Sequence, residues 1–184
     1  MNKYYEFVTE TIDKAAGRVV KYMHERGLSL SAAESCTGGL LSAAVTSVPG
    51  ASAVFVGGAV TYSAEMKIAM IGVSSETIKT FSVYSHETAR EMAAGICSVT
   101  GADIGVGITG IAGPGGGTAE MPVGTVFVAV SVKGDVKSKE LKLYEETGGS
   151  VPDRRMVREL AVLRSLEWLL ELLGAEKEVG RQCQ

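Results

Sequence analysis

The sequence predicts an α/β domain built on a mixed sheet with helices on both faces. Three observations carry this. Helical and strand-like segments alternate over most of the chain. Two strand-like segments then follow one another with only a Gly134-Asp135 turn between them. The 184 residues, 46% of them apolar, suffice for one such core without disulfide or metal staples.

The first element is a helix over 3–26. Tyr5, Val8, Ile12, Ala15, Val19 and Met23 recur at intervals of three and four, forming one stripe, and Gly27 ends it. A short strand is expected over 28–33. The turn Glu34-Ser35-Cys36-Thr37-Gly38-Gly39 leads into a helix over 40–48, which stops before Pro49-Gly50. A second strand, poor in charge, covers 53–61. A helix over 64–71 ends near Gly72, and a short one follows Ser74 or Ser75. Ser85 is placed to cap a helix that runs to Thr100. The third strand spans 102–109, a glycine-rich loop 110–122, and a β-branched strand 123–132 with its partner over 136–144.

The last helix spans 153–173 and carries a wide apolar face. Met156, Leu160, Leu163, Leu170 and Leu173 lie on one side, and Val157, Trp168, Leu169 and Leu172 widen it. Such a helix is either central to the core or shared between subunits, and a homo-oligomer joined through it is expected. Residues 1–174 are expected to form one domain and 175–184 a flexible tail.

Charge and composition narrow the function classes. The formal net charge is −3 and no basic stripe occurs, so no nucleic-acid partner is expected. No apolar run approaches the roughly eighteen uncharged residues of a membrane span. The start of the chain lacks a secretory pattern, so the expected location is cytoplasmic, away from membranes. His24 and His86 lie far apart, and Cys36, Cys97 and Cys183 fit neither a zinc knuckle nor a disulfide framework. No metal is expected.

The chemistry-bearing residues cluster in four places. At Ser35 a strand turns sharply into a helix, which raises a side chain above the sheet edge and aims backbone N–H groups at the same spot. That suits a nucleophile, an oxyanion or a phosphate. Equally, Ser35 or Thr37 caps the helix, with Gly38 and Gly39 as turn residues. Cys36 is a rival nucleophile, but no histidine stands near it as a base. Lys67 follows the uncharged strand and Tyr62. It is either a solvated helix lysine or, if burial lowers its pKa, the general base that a serine needs where no histidine is available.

The stretch Gly105-Val-Gly107-Ile-Thr109-Gly110 matches a dinucleotide fingerprint in spacing only. It runs into Gly113-Pro114-Gly115, which cannot open a helix. That loop is either the wall of a pocket or a plain connection. Arg154, Arg155 and Arg158 open the last helix against its dipole. Arg154 and Arg158 share a face and either clamp a phosphate or make salt bridges.

Five ordered blocks then resemble the C-terminal domain family of the competence-damage-inducible proteins, which includes the nicotinamide mononucleotide deamidases. They are Ala33–Gly39, Gly58–Ser63 with Lys67, Gly107–Gly117, Pro122–Val126 and Asp153-Arg154 with Val157-Arg158. The resemblance implies a three-layer αβα domain around a mixed, mostly parallel sheet. It implies hydrolysis of the carboxamide of nicotinamide mononucleotide to the acid and ammonia, with no metal and no cofactor. Ser35 corresponds to the nucleophile, Lys67 to the base, and Tyr62 stands beside them. Thr37, Gly38 and Gly39, the loop residues Thr109, Gly110, Gly113, Pro114 and Gly115, and Arg154 and Arg158 would hold the small nucleotide substrate. Two positions depart from the family pattern: Ala64 replaces an asparagine and Met121 a lysine. Two other functions fit the same residues: a nucleotide-binding domain without catalysis, and hydrolysis of another small phosphorylated amide.

Overall fold

The computed structural model describes residues 3–147 and 152–175. In chain order these form α1 (Lys3–His24), β1 (Leu30–Glu34), α2 (Leu40–Thr46), β2 (Phe55–Val60), α3 (Ala64–Ile71) and α4 (Ser75–Phe81). Then come α5 (His86–Thr100), β3 (Ile104–Gly110), β4 (Thr125–Val132), β5 (Asp135–Lys142) and α6 (Arg154–Leu172). The strands make one sheet in the order β2-β1-β3-β4-β5. β1 pairs in parallel with β2 and β3, and β4 is antiparallel to both β3 and β5. Among the described strands only β4 runs against the rest, so the expected mixed, mostly parallel sheet is what forms.

Helices cover both faces, giving three layers. α1, α2 and α6 pack together on one side, and α3, α4 and α5 on the other. The stripe read on α1 is the buried one: Val8, Ile12, Ala15, Val19 and Met23 are all at or below 7% exposure. α6 packs on α1 and the sheet, burying Leu160, Leu163, Leu166, Leu169 and Leu170. The breadth of its apolar face is thus taken up within the chain, and that breadth no longer argues for a contact between copies.

α5 lies close on β3 because two strand positions lack a side chain. A Cβ at Gly105 would stand 2.2 Å from the Ala93 carbonyl oxygen, and one at Gly107 would stand 2.4 Å from that of Ala89. The apparent fingerprint in this stretch is a packing device.

Boundaries shifted where local turn chemistry intervened. The expected strand over 53–61 begins later because Gly50, at φ 87°, opens a 3₁₀ turn over Ala51–Ala53. The hairpin turn is centred on Lys133-Gly134 rather than Gly134-Asp135: both have positive φ (50° and 91°), and Val132 pairs with Asp135. The expected tail lies outside the described residues except for Ala175, which is buried and donates to the Leu170 carbonyl.

Candidate active site

The chain leaves β1, crosses to β2 on one side and later returns to β3 on the other. Such a change of direction opens a crevice at the carboxyl ends of the parallel strands. Ser35 directly follows β1 there, and its N–H donates to the Ile108 carbonyl of β3 at 2.9 Å. Neither Ser35 nor Thr37 caps α2. The N-cap is Gly39, at φ 91°, and it makes no side-chain cap. Glu34 takes over that function. Its carboxylate is 0% exposed and accepts from the N–H groups of Gly39 (3.0 Å), Leu41 (3.0 Å) and Ser42 (2.8 Å), and from the Ser42 hydroxyl (2.7 Å).

Lys67 reaches the same place from α3, whose first turn is fixed by Ser63 accepting from the Met66 N–H at 3.2 Å. It is not a solvated helix lysine: the residue is 1% exposed. Its Nζ stands 3.1 Å from Ser35 Oγ, 2.8 Å from the Thr61 carbonyl and 3.3 Å from the Tyr62 carbonyl. Burial in this site pushes the amine down from 10.5 to about 8, against a small opposite push from Cys36. Cys36 borders the same cavity but is buried against the core, and that burial pushes its thiol up to about 12. Held as a thiol, it is a poor nucleophile beside Ser35.

A cavity of ≈ 200 Å³ opens in front of Ser35. Tyr62 and Tyr84 supply aromatic walls, and Gly110, Ile111, Ala112, Gly113, Gly115 and Gly116 form the opposite lip. Arg154 joins the two sides, donating to the Gly113 carbonyl at 2.7 Å and to the Tyr62 hydroxyl at 2.9 Å. Arg158 sits behind, with both its Nε (3.3 Å) and an Nη (2.8 Å) on the Thr37 carbonyl. Among the described residues the salt-bridge alternative holds for Arg155 alone of the three, which pairs with Glu159 at 2.6 Å.

The other expected site residues fall outside the lining. Thr109 is fully buried and its hydroxyl donates to the Val83 carbonyl. Thr37 is also fully buried. Pro114 follows a cis peptide bond from Gly113. The Gly38 N–H donates to the Ser35 carbonyl and that of Gly39 to Glu34, so neither is available to an oxyanion. Two residues of the site went unread in the sequence, Glu34 and Tyr84. A glutamate ending an otherwise apolar strand just before a glycine pair was the available signal for the first. Tyr84 stands between α4 and α5, where no spacing marks it. A groove of ≈ 310 Å³ between α1 and the start of α6 is larger, but three of its six lining residues are carboxylates and it holds no nucleophile–base pair.

The sequence profile of the CinA C-terminal domain matches residues 12–173. The chain belongs to the CinA C-terminal domain family. Among relatives in this family, a putative competence-damage inducible protein of Clostridium novyi is 46% identical over 159 residues, covering 86% of this chain and 36% of that protein. A CinA-like protein of Kosmotoga olearia is 44% identical over 155 residues, 84% of this chain and 36% of its own length. The chain thus spans about a third of the length of the curated relatives it matches. Solved CinA-family structures are closer in size. The competence/damage inducible protein CihA of Agrobacterium tumefaciens has a TM-score of 0.82 at 40% identity, covering 88% of this chain and 95% of that one. The competence damage-inducible protein A of Klebsiella pneumoniae gives 0.81 at 34%, covering 89% and 97%. Among the described residues no helix is long and apolar enough to cross a membrane.

Proposed function

We propose that this domain hydrolyses the carboxamide of nicotinamide mononucleotide to nicotinic acid mononucleotide and ammonia, with Ser35 as nucleophile and Lys67 as general base. The observation that carries the reading is the 3.1 Å separation of a buried amine and a cavity-facing hydroxyl. A neutral amine has two N–H donors and one lone pair. The carbonyls of Thr61 and Tyr62 take the two donors, which leaves the lone pair for the Ser35 proton.

In the first half-reaction the Ser35 proton passes to Lys67 Nζ and Oγ bonds to the carboxamide carbon. The carbon–nitrogen bond then breaks as Nζ returns that proton to the leaving nitrogen, which departs as ammonia. In the second, Nζ takes a proton from water, the hydroxide attacks the ester, and Ser35 Oγ leaves with the proton restored. Ala112, Gly113, Gly115 and Gly116 line the cavity, and their backbone N–H groups are the proposed oxyanion donors, since those of Gly38 and Gly39 are committed elsewhere. Tyr62 and Tyr84 suit a flat heteroaromatic ring, and Arg154 at the rim suits a phosphate extending outwards.

Ammonia release from nicotinamide mononucleotide, nicotinamide riboside and nicotinamide tests both the reaction and the need for phosphate. The mononucleotide should be the best of the three. Ser35→Ala and Lys67→Ala should each lower kcat by at least ~10³-fold with the fold intact. Tight binding of the mononucleotide by the wild-type protein without ammonia release would establish a binding domain instead.

A further inference from the structure

Every other α-helix with a described N-cap is capped by a short side chain at the cap itself: Ser63, Ser74, Ser85 and Asp153. α2 departs from this. Its cap is a bare glycine, and the acceptor comes from Glu34, five residues upstream on the sheet. The two carboxylate oxygens each take two donors, and all four donors are uncharged. Burying a carboxylate this way is costly compared with a serine cap that would satisfy the same helix end. The long reach has a different geometric effect. Glu34 is held at its backbone between β2 and β3, pairing with Val60 and Ile108, while its side chain holds α2. The intervening segment is Ser35 to Gly38, so one residue fixes both ends of the turn that presents Ser35.

We propose that Glu34 is a positioning residue for hydrolysis: its carboxylate straps the first turn of α2 to the end of β1 and so keeps Ser35 Oγ within reach of Lys67. This rests on the Ser35–Lys67 reading above. The strap also answers the positive end of α2 from inside the protein, so that end is not offered to the substrate. Misplacing a reacting group by about 1 Å costs on the order of 10²-fold in rate, so a loosened turn should be visible in kcat.

Glu34→Gln keeps the length of the side chain but turns an NH₂ group onto donors that need an acceptor. The variant should fold, keep KM within ~3-fold, and lose ~10- to 100-fold in kcat. Ser42→Ala removes one of the four donors and should show the same split on a smaller scale, ~2- to 5-fold. A second readout needs no substrate. In protein carrying ¹³C-labelled lysine, with Lys67→Ala to assign the signal, Lys67 should titrate at higher pH in Ser42→Ala, which leaves every charge in place, than in wild type, because water enters the loosened turn. The strap is overturned if Glu34→Gln keeps wild-type kcat, if its loss is confined to KM, or if Lys67 titrates unchanged in Ser42→Ala. Should Glu34→Gln not fold, a wild-type kcat and Lys67 titration in Ser42→Ala overturn it equally. Should the wild type release no ammonia from any of the amides, the hydrolytic reading fails and the Lys67 titration alone decides the strap.

Discussion

A buried amine with three oxygens around it behaves differently in its two protonation states. As an ammonium, Lys67 has a proton for each of Ser35, Thr61 and Tyr62 and no lone pair with which to accept one. As a neutral amine it can take the serine proton. With the amine titrating near 8, kcat/KM should rise about tenfold per pH unit below that point and level off above it. Initial rates from about pH 6 to about pH 10 check this, and a profile flat below 8 would remove Lys67 from the role of base. Cys36 next door predicts the opposite of a thiol enzyme. Buried and held as a thiol, it should leave ammonia release unchanged after treatment with iodoacetamide. At this scale Ser35 and Lys67 stood out in the sequence, each with a plainer reading beside it, and the family resemblance paired them; the 3.1 Å contact brings the two side chains together. The role of Glu34 was not legible, since its partners are backbone groups whose positions no residue pattern records.

Between elements, close approach is set by what is missing from glycine. On α5 a Cβ at Gly95 would stand 1.9 Å from the Ile71 carbonyl oxygen, at the end of the helix that carries Lys67. Gly95→Ala should therefore push α3 off α5, destabilise the protein by about 1–3 kcal/mol and lower kcat as the amine moves. Gly17, within α1, is the control. A Cβ there meets nothing within 4 Å, so Gly17→Ala should stabilise by about 0.5–1 kcal/mol and leave kcat alone. Thermal melts and ammonia release on both variants separate the two effects. The elements themselves were largely readable: the α1 stripe, the Ser85 cap and the α3 boundaries all follow from spacing and capping chemistry, and of the two starts open for α4, Ser74 is the cap. The 3₁₀ turn after Gly50 and the hairpin centre were not, because both depend on positive φ, one of them at Lys133. The glycines of β3 were visible as a pattern and did not read as a dinucleotide site, but that they make room for α5 was not legible.

For the molecule as a whole, the buried Lys67 amine is a burden on stability. An unfolded lysine titrates near 10.5 and the folded Lys67 near 8, so between those values the unfolded chain binds more protons and stability rises with pH. Below 8 the penalty is present in full. Lys67→Met should accordingly be more stable than wild type at neutral pH, by at most about 3 kcal/mol before the cost of leaving the Thr61 and Tyr62 carbonyls unpaired. The gap should shrink as pH climbs from 8 towards 10.5, and denaturant midpoints across that range measure it. Strand order, which puts Ser35 at a crevice, was beyond reach of the sequence because pairing partners lie far apart along the chain. It also bears on how the protein renatures. The Thr61 N–H donates to the Glu34 carbonyl, and Thr61 and Tyr62 hold the amine just past the end of an outer strand, β2. Enzymatic turnover can reappear only after that outermost strand has zipped into place. A refolding experiment followed by ammonia release would then report the closing step of assembly, lagging behind any signal from the α1–α6 side.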